Sequence, residues 1–212
     1  AVNLAWPFWS SANIAVRQPY AGLAPDGTWT ATLLDDQSTT AAQYVDANLT
    51  VPGADTNWYT WSVHVKAGTS DVIHLRAYLI GGTPNLGSGV GVNFTFSTKT
   101  LGTPNGTGGQ GTPTASDVGF TELPNGWFRV WIRIQNNNSG NVTLTCRLFV
   151  QNTSNASTGS IYAWGAQAEV GTFPTSFIPA MPTWTGRAWM RIASTRCSGG
   201  PTPSTPTPTP ST

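Results

Sequence analysis

Trp127, Arg129, Trp131 and Arg133 alternate with Phe128, Val130, Ile132 and Ile134 over residues 126–135. In a β-strand successive side chains point to opposite faces, so the apolar set marks a core side and the Trp/Arg set turns away from it. Two indoles four residues apart on one strand face stand roughly 13 Å from each other, about the span of two or three sugar units. Aromatic rings match the flat C–H faces of pyranoses, and guanidinium, amide and imidazole groups match their hydroxyls. His64, His74, Arg76, Tyr78 and Gln167 share the outward phase of their own segments and extend the set. A packing role is the competing reading for Trp127 and Arg129, with guanidinium stacked on indole beneath a loop. A sandwich also has two outer faces, so these residues stand on one face or are divided between both. Trp58, Trp61 and Trp164 are read as core, and Trp6 and Trp9 as cover for the sandwich edge.

The elements that must position these groups read with a period of two. Over residues 59–66, Tyr59, Trp61, Val63 and Val65 alternate with Thr60, Ser62, His64 and Lys66. Residues 66–71 form a turn, and residues 72–80 place Ile73, Leu75, Ala77 and Leu79 opposite His74, Arg76 and Tyr78, so the pair reads as a hairpin. Residues 91–99 form a further strand with Val92, Phe94 and Phe96 on one face. The Gly/Pro/Thr-rich stretch 101–117 is a loop long enough to carry or gate a site. Residues 141–151 send Val142, Leu144, Cys146, Leu148 and Val150 inward, with Thr143, Thr145, Arg147, Phe149 and Gln151 outward. Residues 160–170 set Tyr162, Trp164, Ala166 and Ala168 against Gly165, Gln167 and Glu169. Many short strands divided by turn signals predict an all-β chain, an antiparallel β-sandwich of jelly-roll type.

Composition excludes several classes. Only 9% of the 212 residues are charged and the formal net charge is +1, too small a field for nucleic acid. No apolar run reaches the ~20 residues of a membrane-spanning helix, so no membrane insertion is expected. Cys146 and Cys197 lack zinc-ligand spacing and are either one disulfide or two free thiols. Hydrolysis of a glycosidic bond needs two carboxyls about 5 to 9 Å apart, and Glu122 and Glu169 are the only glutamates among nine acids. Neither a nucleophile elbow nor a phosphate loop occurs. The chain is therefore expected not to be an enzyme and to need no cofactor.

Four ordered segments carry a resemblance. They are Ala24-Pro25-Asp26-Gly27-Thr28 with Thr30-Ala31, residues 59–70 ending in Lys66-Ala67-Gly68-Thr69-Ser70, Gly126-Trp127-Phe128-Arg129-Val130, and residues 164–169 with 175–179. Together they resemble the β-sandwich module of bacteriophage tail, fibre and head-decoration proteins, which is similar to jelly-roll carbohydrate-binding modules of glycoside hydrolases. The resemblance covers residues 1–180. Residues 181–198 read as a C-terminal strand or docking arm, and residues 199–212 as a Pro/Thr linker stiffened toward polyproline II. The implied function is a non-catalytic module attaching its parent protein or virion to a polysaccharide or cell-surface glycan, in an extracellular or virion setting. Such a module is compatible with a structural calcium held by backbone carbonyls and Asp26 or Asp55, and with a covalently linked second module or a homo-oligomer. Two alternatives stay open: a structural virion domain whose aromatic face is an assembly interface, and a glycoside hydrolase domain. As stacking anchors, Trp127 and Trp131 are expected to contribute about 1 to 3 kcal/mol each to binding, with little effect on stability.

Overall fold

The structure, a computed structural model, describes residues 2–3, 10–12, 16–83, 86–106, 112–152 and 157–177. The chain divides into Ala1–Ala180 and Met181–Thr212. The expected docking arm, Cys197 and the Pro/Thr linker lie outside the described residues.

Among the described residues thirteen strands form two antiparallel sheets: β1 (Val2–Asn3), β2 (Ser10–Ala12), β3 (Val16–Gly22), β4 (Ala31–Asp36), β5 (Tyr44–Thr50), β6 (Trp58–Ala67), β7 (Val72–Ile80), β8 (Leu86–Thr95), β9 (Thr100–Leu101), β10 (Val118–Leu123), β11 (Trp127–Gln135), β12 (Thr143–Phe149) and β13 (Gly159–Val170). Sheet A runs β10-β11-β6-β13-β4-β3, with β1 also on β13, and sheet B runs β2-β5-β12-β7-β8-β9. Eight of the strands, β4 to β8 and β11 to β13, pair in a nested series, β4 with β13, β5 with β12, β6 with β11, and β7 with β8. First with last, second with seventh, third with sixth and fourth with fifth is the wrapping of a jelly roll.

The two inner faces meet in one core. Sheet A contributes Trp61, Val63, Val65, Phe128, Val130, Ile132, Ile134 and Ile161, and sheet B contributes Val45, Ile73, Leu75, Leu79, Val92, Phe94, Leu144 and Leu148. Phe94 packs on Phe96, Phe120 and Phe128 with ring centroids 5.0 to 5.3 Å apart, a spacing typical of tilted aromatic pairs. Cys146 is a free thiol buried completely in this core, and burial alone pushes its ionisation up.

Three sequence expectations are corrected. β6 and β7 are not a hairpin: β6 lies in sheet A and β7 in sheet B. The turn between them crosses from one sheet to the other, and both alternations point at the same core from opposite sides. Val142 is exposed rather than inward, because β12 begins only at Thr143. In β13 a bulge between Trp164 and Gln167 interrupts the register on β6. Gly165 supplies it at φ +55, a left-handed backbone that glycine adopts freely. The extra residue moves Tyr162 and Trp164 to the same outer face as Gln167 and Glu169, while Ala166 and Ala168 stay inward.

Candidate functional site

The candidate residues fall on two opposite faces. Trp127, Arg129, Trp131, Arg133, His64 and Gln167 lie on the outer face of sheet A; His74, Arg76 and Tyr78 lie on the outer face of sheet B.

On sheet A the cross-strand register sets Trp127 beside Lys66, Arg129 beside His64, Trp131 beside Ser62 and Arg133 beside Thr60. This face is covered by residues 171–177 of the same chain. The covering segment begins where Gly171 N–H donates to Trp58 O at 2.8 Å and Thr60 Oγ1 donates to Gly171 O at 2.7 Å. Thr175 then donates to Glu169 through its backbone N–H at 2.8 Å and its hydroxyl at 2.6 Å. Gln167, fully buried, donates to the same carboxylate at 2.9 Å. Arg129 donates to Ser62 Oγ through Nε and Nη2 and to Thr175 O through Nη1.

Aromatic contacts complete the cover. Phe177 packs on Trp164 at 4.4 Å and on His64 at 5.8 Å. Phe173 meets Trp131 at 5.8 Å, and Arg133 lies over Trp58 at 4.7 Å while holding Asp117 at 3.1 Å. A Cβ on Gly119 would stand 2.3 Å from the Trp131 ring, so that ring lies directly across the glycine.

The expected Trp127/Trp131 platform is therefore corrected. Trp127 is only 2% exposed and packs with Ala24 and Ala31, with Leu123, Tyr162 and Trp164 around them. It has no ring face to offer a sugar. His64 and Gln167 are likewise buried, and Arg129 anchors the covering segment. These residues alternate away from the main core, and the chain returns over them. Thr175 and Phe177, noticed in the sequence as part of a motif, are the groups that make the cover.

Burial, with the Arg129 charge nearby, holds the His64 imidazole down at about 4 against an ordinary 6.5. Between these values the unfolded chain takes up a proton that the folded chain refuses. Stability is thus complete above about pH 6.5 and falls as pH drops toward 4. The loss from this group approaches about 3 kcal/mol. Urea midpoints at pH 7.5 and 4.5 should show the fall, and His64→Gln should flatten it; an unchanged slope in that variant would assign the acid sensitivity elsewhere.

The outer face of sheet B has a different character. One row across the strands reads Asp46, Arg147, Arg76 and Gly91; the rows beside it read Asn48, Thr145, Tyr78 and Tyr44, Phe149, His74, Asn93. Arg147 is central. Its guanidinium stands 3.7 Å over the Tyr44 ring and within 6 Å of Tyr78 and Phe149. Arg147 Nη2 donates to Asp46 Oδ2 at 2.8 Å and lies 2.9 Å from the Tyr78 hydroxyl.

Phe149 packs against both Tyr44 and His74. His74 Nδ1 lies 2.7 Å from Asn93 Oδ1, and burial holds the imidazole below its ordinary pKa, so it is neutral at pH 7. The start of the long loop runs back beside this face, with Asn105 bridged to Gly91 by two 2.8 Å backbone bonds. Tyr44, Arg76, Tyr78 and Arg147 are half-buried, forming polar and aromatic walls around buried His74 and Phe149.

Sequence reading found His74, Arg76 and Tyr78 but missed Tyr44 and Asp46, and it placed Arg147 outward without assigning it a role. The missing signal was the alternation Tyr44, Asp46, Asn48 against Val45, Ala47, Leu49 in β5. Among the described residues no three His, Cys, Asp or Glu side chains gather as metal ligands. Asp26 instead closes a turn onto Thr28, and Asp55 accepts from Tyr59 Oη and Asn57 Nδ2. No helix among the described residues is long and apolar enough to cross a membrane.

No protein-family profile matches the chain, and no curated protein sequence matches it. Solved structures similar to it include the enzymatically active domain of tailspike protein 4 of bacteriophage CBA120, at 9% identity, 77% of this chain and TM-score 0.41. The chain spans 19% of that tailspike's length. A carbohydrate-binding module of the CBM4 type matches at 10% identity, 77% of this chain, 95% of that one and TM-score 0.43. CBM28, a module specific for non-crystalline cellulose, matches at 7% identity, 76% of this chain, 87% of that one and TM-score 0.39. At these scores the matches carry no argument about either face. The jelly-roll assignment rests on the strand order, and the chain is an all-β jelly-roll sandwich similar in architecture to phage tailspike and carbohydrate-binding domains.

Proposed function

We propose that this chain is a non-catalytic carbohydrate-binding module that attaches its parent protein or virion to an extracellular polysaccharide through the outer face of sheet B. The carrying observation is the Tyr44/Arg147/Tyr78 cluster, with an Arg guanidinium at its centre and Asn48, Asn93, Asn105 and His74 around it. Ring faces and polar groups side by side on one sheet are what a polyhydroxylated chain with apolar ring faces requires.

A binding role rather than hydrolysis is supported by the carboxylates. Asp46 is the only acid among the described residues of this face, and hydrolysis calls for a pair. Elsewhere, Glu122 is ion-paired with Lys99 and Glu169 anchors Thr175.

Affinity electrophoresis against plant and bacterial polysaccharides tests the reading. Tyr78→Ala should weaken retardation by about 1 to 3 kcal/mol, while Trp131→Ala leaves it unchanged. Loss in Trp131→Ala alone would return the site to sheet A. A second reading, a virion assembly domain, is favoured by Tyr20, Leu23 and Trp29, which stay 50 to 67% exposed along the β3–β4 hairpin. No retardation by any glycan, together with an oligomer in size-exclusion chromatography, would favour it.

A further inference from the structure

We infer that the tip of the β3–β4 hairpin is a second glycan contact, with the Trp29 ring stacking on a sugar and Asp26 accepting its hydroxyls; the ligand class rests on the carbohydrate-binding reading above. Trp29 is 62% exposed, whereas every other tryptophan among the described residues is buried or half-buried. No packing role accounts for it. Tyr20, on the neighbouring strand, is exposed as well, and its backbone is unusual. The register of β3 on β4 jumps from Gln18 opposite Leu33 to Gly22 opposite Ala31, so Pro19, Tyr20 and Ala21 stand against Thr32 alone. Tyr20 takes φ +56 in this bulge, a left-handed backbone strained for any residue but glycine. Bulges of this kind re-aim side chains beside binding sites.

The tip is rigid. Ala24 N–H donates to Thr28 O at 2.8 Å and Gly27 N–H to Ala24 O at 3.0 Å, closing the turn. Trp164 Nε1 donates to Thr30 Oγ1 at 3.0 Å, Thr30 bonds Thr28 through their hydroxyls, and Thr28 donates to Asp26 Oδ1 at 2.7 Å. An indole N–H only donates and a carboxylate only accepts, so the two hydroxyl protons both point toward Asp26. Asp26 Oδ2 takes no hydrogen bond among the described residues and stays an open acceptor. Tyr20, Leu23 and Trp29 expose on the order of 400 Å², below the roughly 800 Å² that each partner gives to a stable protein interface. Charge is also depleted from the middle of such interfaces, whereas Asp26 sits at the turn itself. An indole beside an open acceptor suits a pyranose, C–H face on the ring and hydroxyl on the oxygen. The tip belongs to sheet A and Tyr78 to the outer face of sheet B, so one module would hold two glycan segments.

Affinity electrophoresis against the same polysaccharides is run on the native chain, Tyr78→Ala, Trp29→Ala, Asp26→Asn and the double variant Tyr78→Ala/Trp29→Ala. Asp26→Asn keeps an oxygen for the turn but puts an amide NH2 where the open acceptor stood. Trp29→Ala should weaken retardation at least about tenfold with an unchanged melting midpoint, and Asp26→Asn should weaken it too. Tyr78→Ala should keep a residual retardation that the double variant loses. The native chain should also cloud a solution of the retarding polysaccharide by cross-linking it, and Trp29→Ala should not. Full retardation in Trp29→Ala, with loss in Tyr78→Ala, overturns the inference and leaves the sheet B reading intact. Loss in Trp29→Ala with full retardation in Tyr78→Ala supports the inference and sinks the sheet B reading. A native oligomer in size-exclusion chromatography that Trp29→Ala converts to a monomer overturns it in favour of a contact between copies. Retardation by no polysaccharide overturns it together with carbohydrate binding.

Discussion

Trp127→Ala should lower the stability of the sandwich by about 3 to 5 kcal/mol. The indole is 2% exposed and packs with Ala24 and Ala31, with Leu123, Tyr162 and Trp164 completing the cluster. Its removal leaves a cavity bounded by a paired strand on one side and the β3–β4 hairpin on the other, neither of which is free to close on it. Glycan retardation should be unchanged in whatever fraction remains folded, because the ring lies on the face opposite Tyr44, Arg147 and Tyr78. Urea unfolding and affinity electrophoresis on the same preparation separate the two effects. An unchanged midpoint combined with lost retardation would restore Trp127 as a stacking anchor.

Glu169→Ala should release residues 172–177 from sheet A and cost about 2 kcal/mol. Its carboxylate accepts the backbone N–H and hydroxyl of Thr175 and the amide of buried Gln167, and all three bonds are lost together. Arg129 loses as well the carboxylate that favours its charge. Detachment lets the Thr175 donors find water, which limits the cost, while the buried Gln167 amide loses its bond to the carboxylate. Limited proteolysis at Phe173 and Phe177 is the direct readout, with cleavage fast in Glu169→Ala and slow in the native chain. Glu169→Gln keeps one carbonyl acceptor and should fall between them. Equal protection in all three chains would show that the aromatic contacts of Phe173 and Phe177 hold the segment unaided.

The strands that carry the site were legible wherever alternation was strong. In β11 every odd position from Trp127 to Gln135 faces away from the main core, as the pattern requires. Strand partnership was not legible, since alternation reveals a strand's inner side but not which sheet holds it. That is why β6 and β7 resemble a hairpin while lying in different sheets. The bulge at Gly165 defeated the pattern for another reason: one inserted residue reverses the phase, and glycine is ambiguous between turn, bulge and close packing. Outward was also equated with solvent. Trp127, His64 and Gln167 do turn away from the main core, but Ala24 and Ala31 pack over Trp127 while Phe177 and Thr175 come back over His64 and Gln167, contacts between segments about a hundred residues apart for Trp127 and His64 that no local period encodes. The sheet B site failed to emerge whole because β5 supplies Tyr44 and Asp46, and Arg147 gains its meaning only between them and Tyr78.

The nested pairing of the eight strands β4 to β8 and β11 to β13 has a consequence for biosynthesis. β4 finds its place between β3 and β13, so it cannot complete its pairing until residues 159–163 exist. At ribosomal speeds of about 5 to 20 residues per second, β4 waits on the order of ten seconds for that partner. β5 and β6 wait in the same way for β12, β11 and β13, whereas β7 and β8 meet almost at once. Early strands with open hydrogen-bonding edges are therefore presented to the cell until residues 159–163 emerge. A nascent chain halted before Gly159 holds the makings of sheet B but leaves sheet A without its central strand, and such a product is matter for chaperones and proteases.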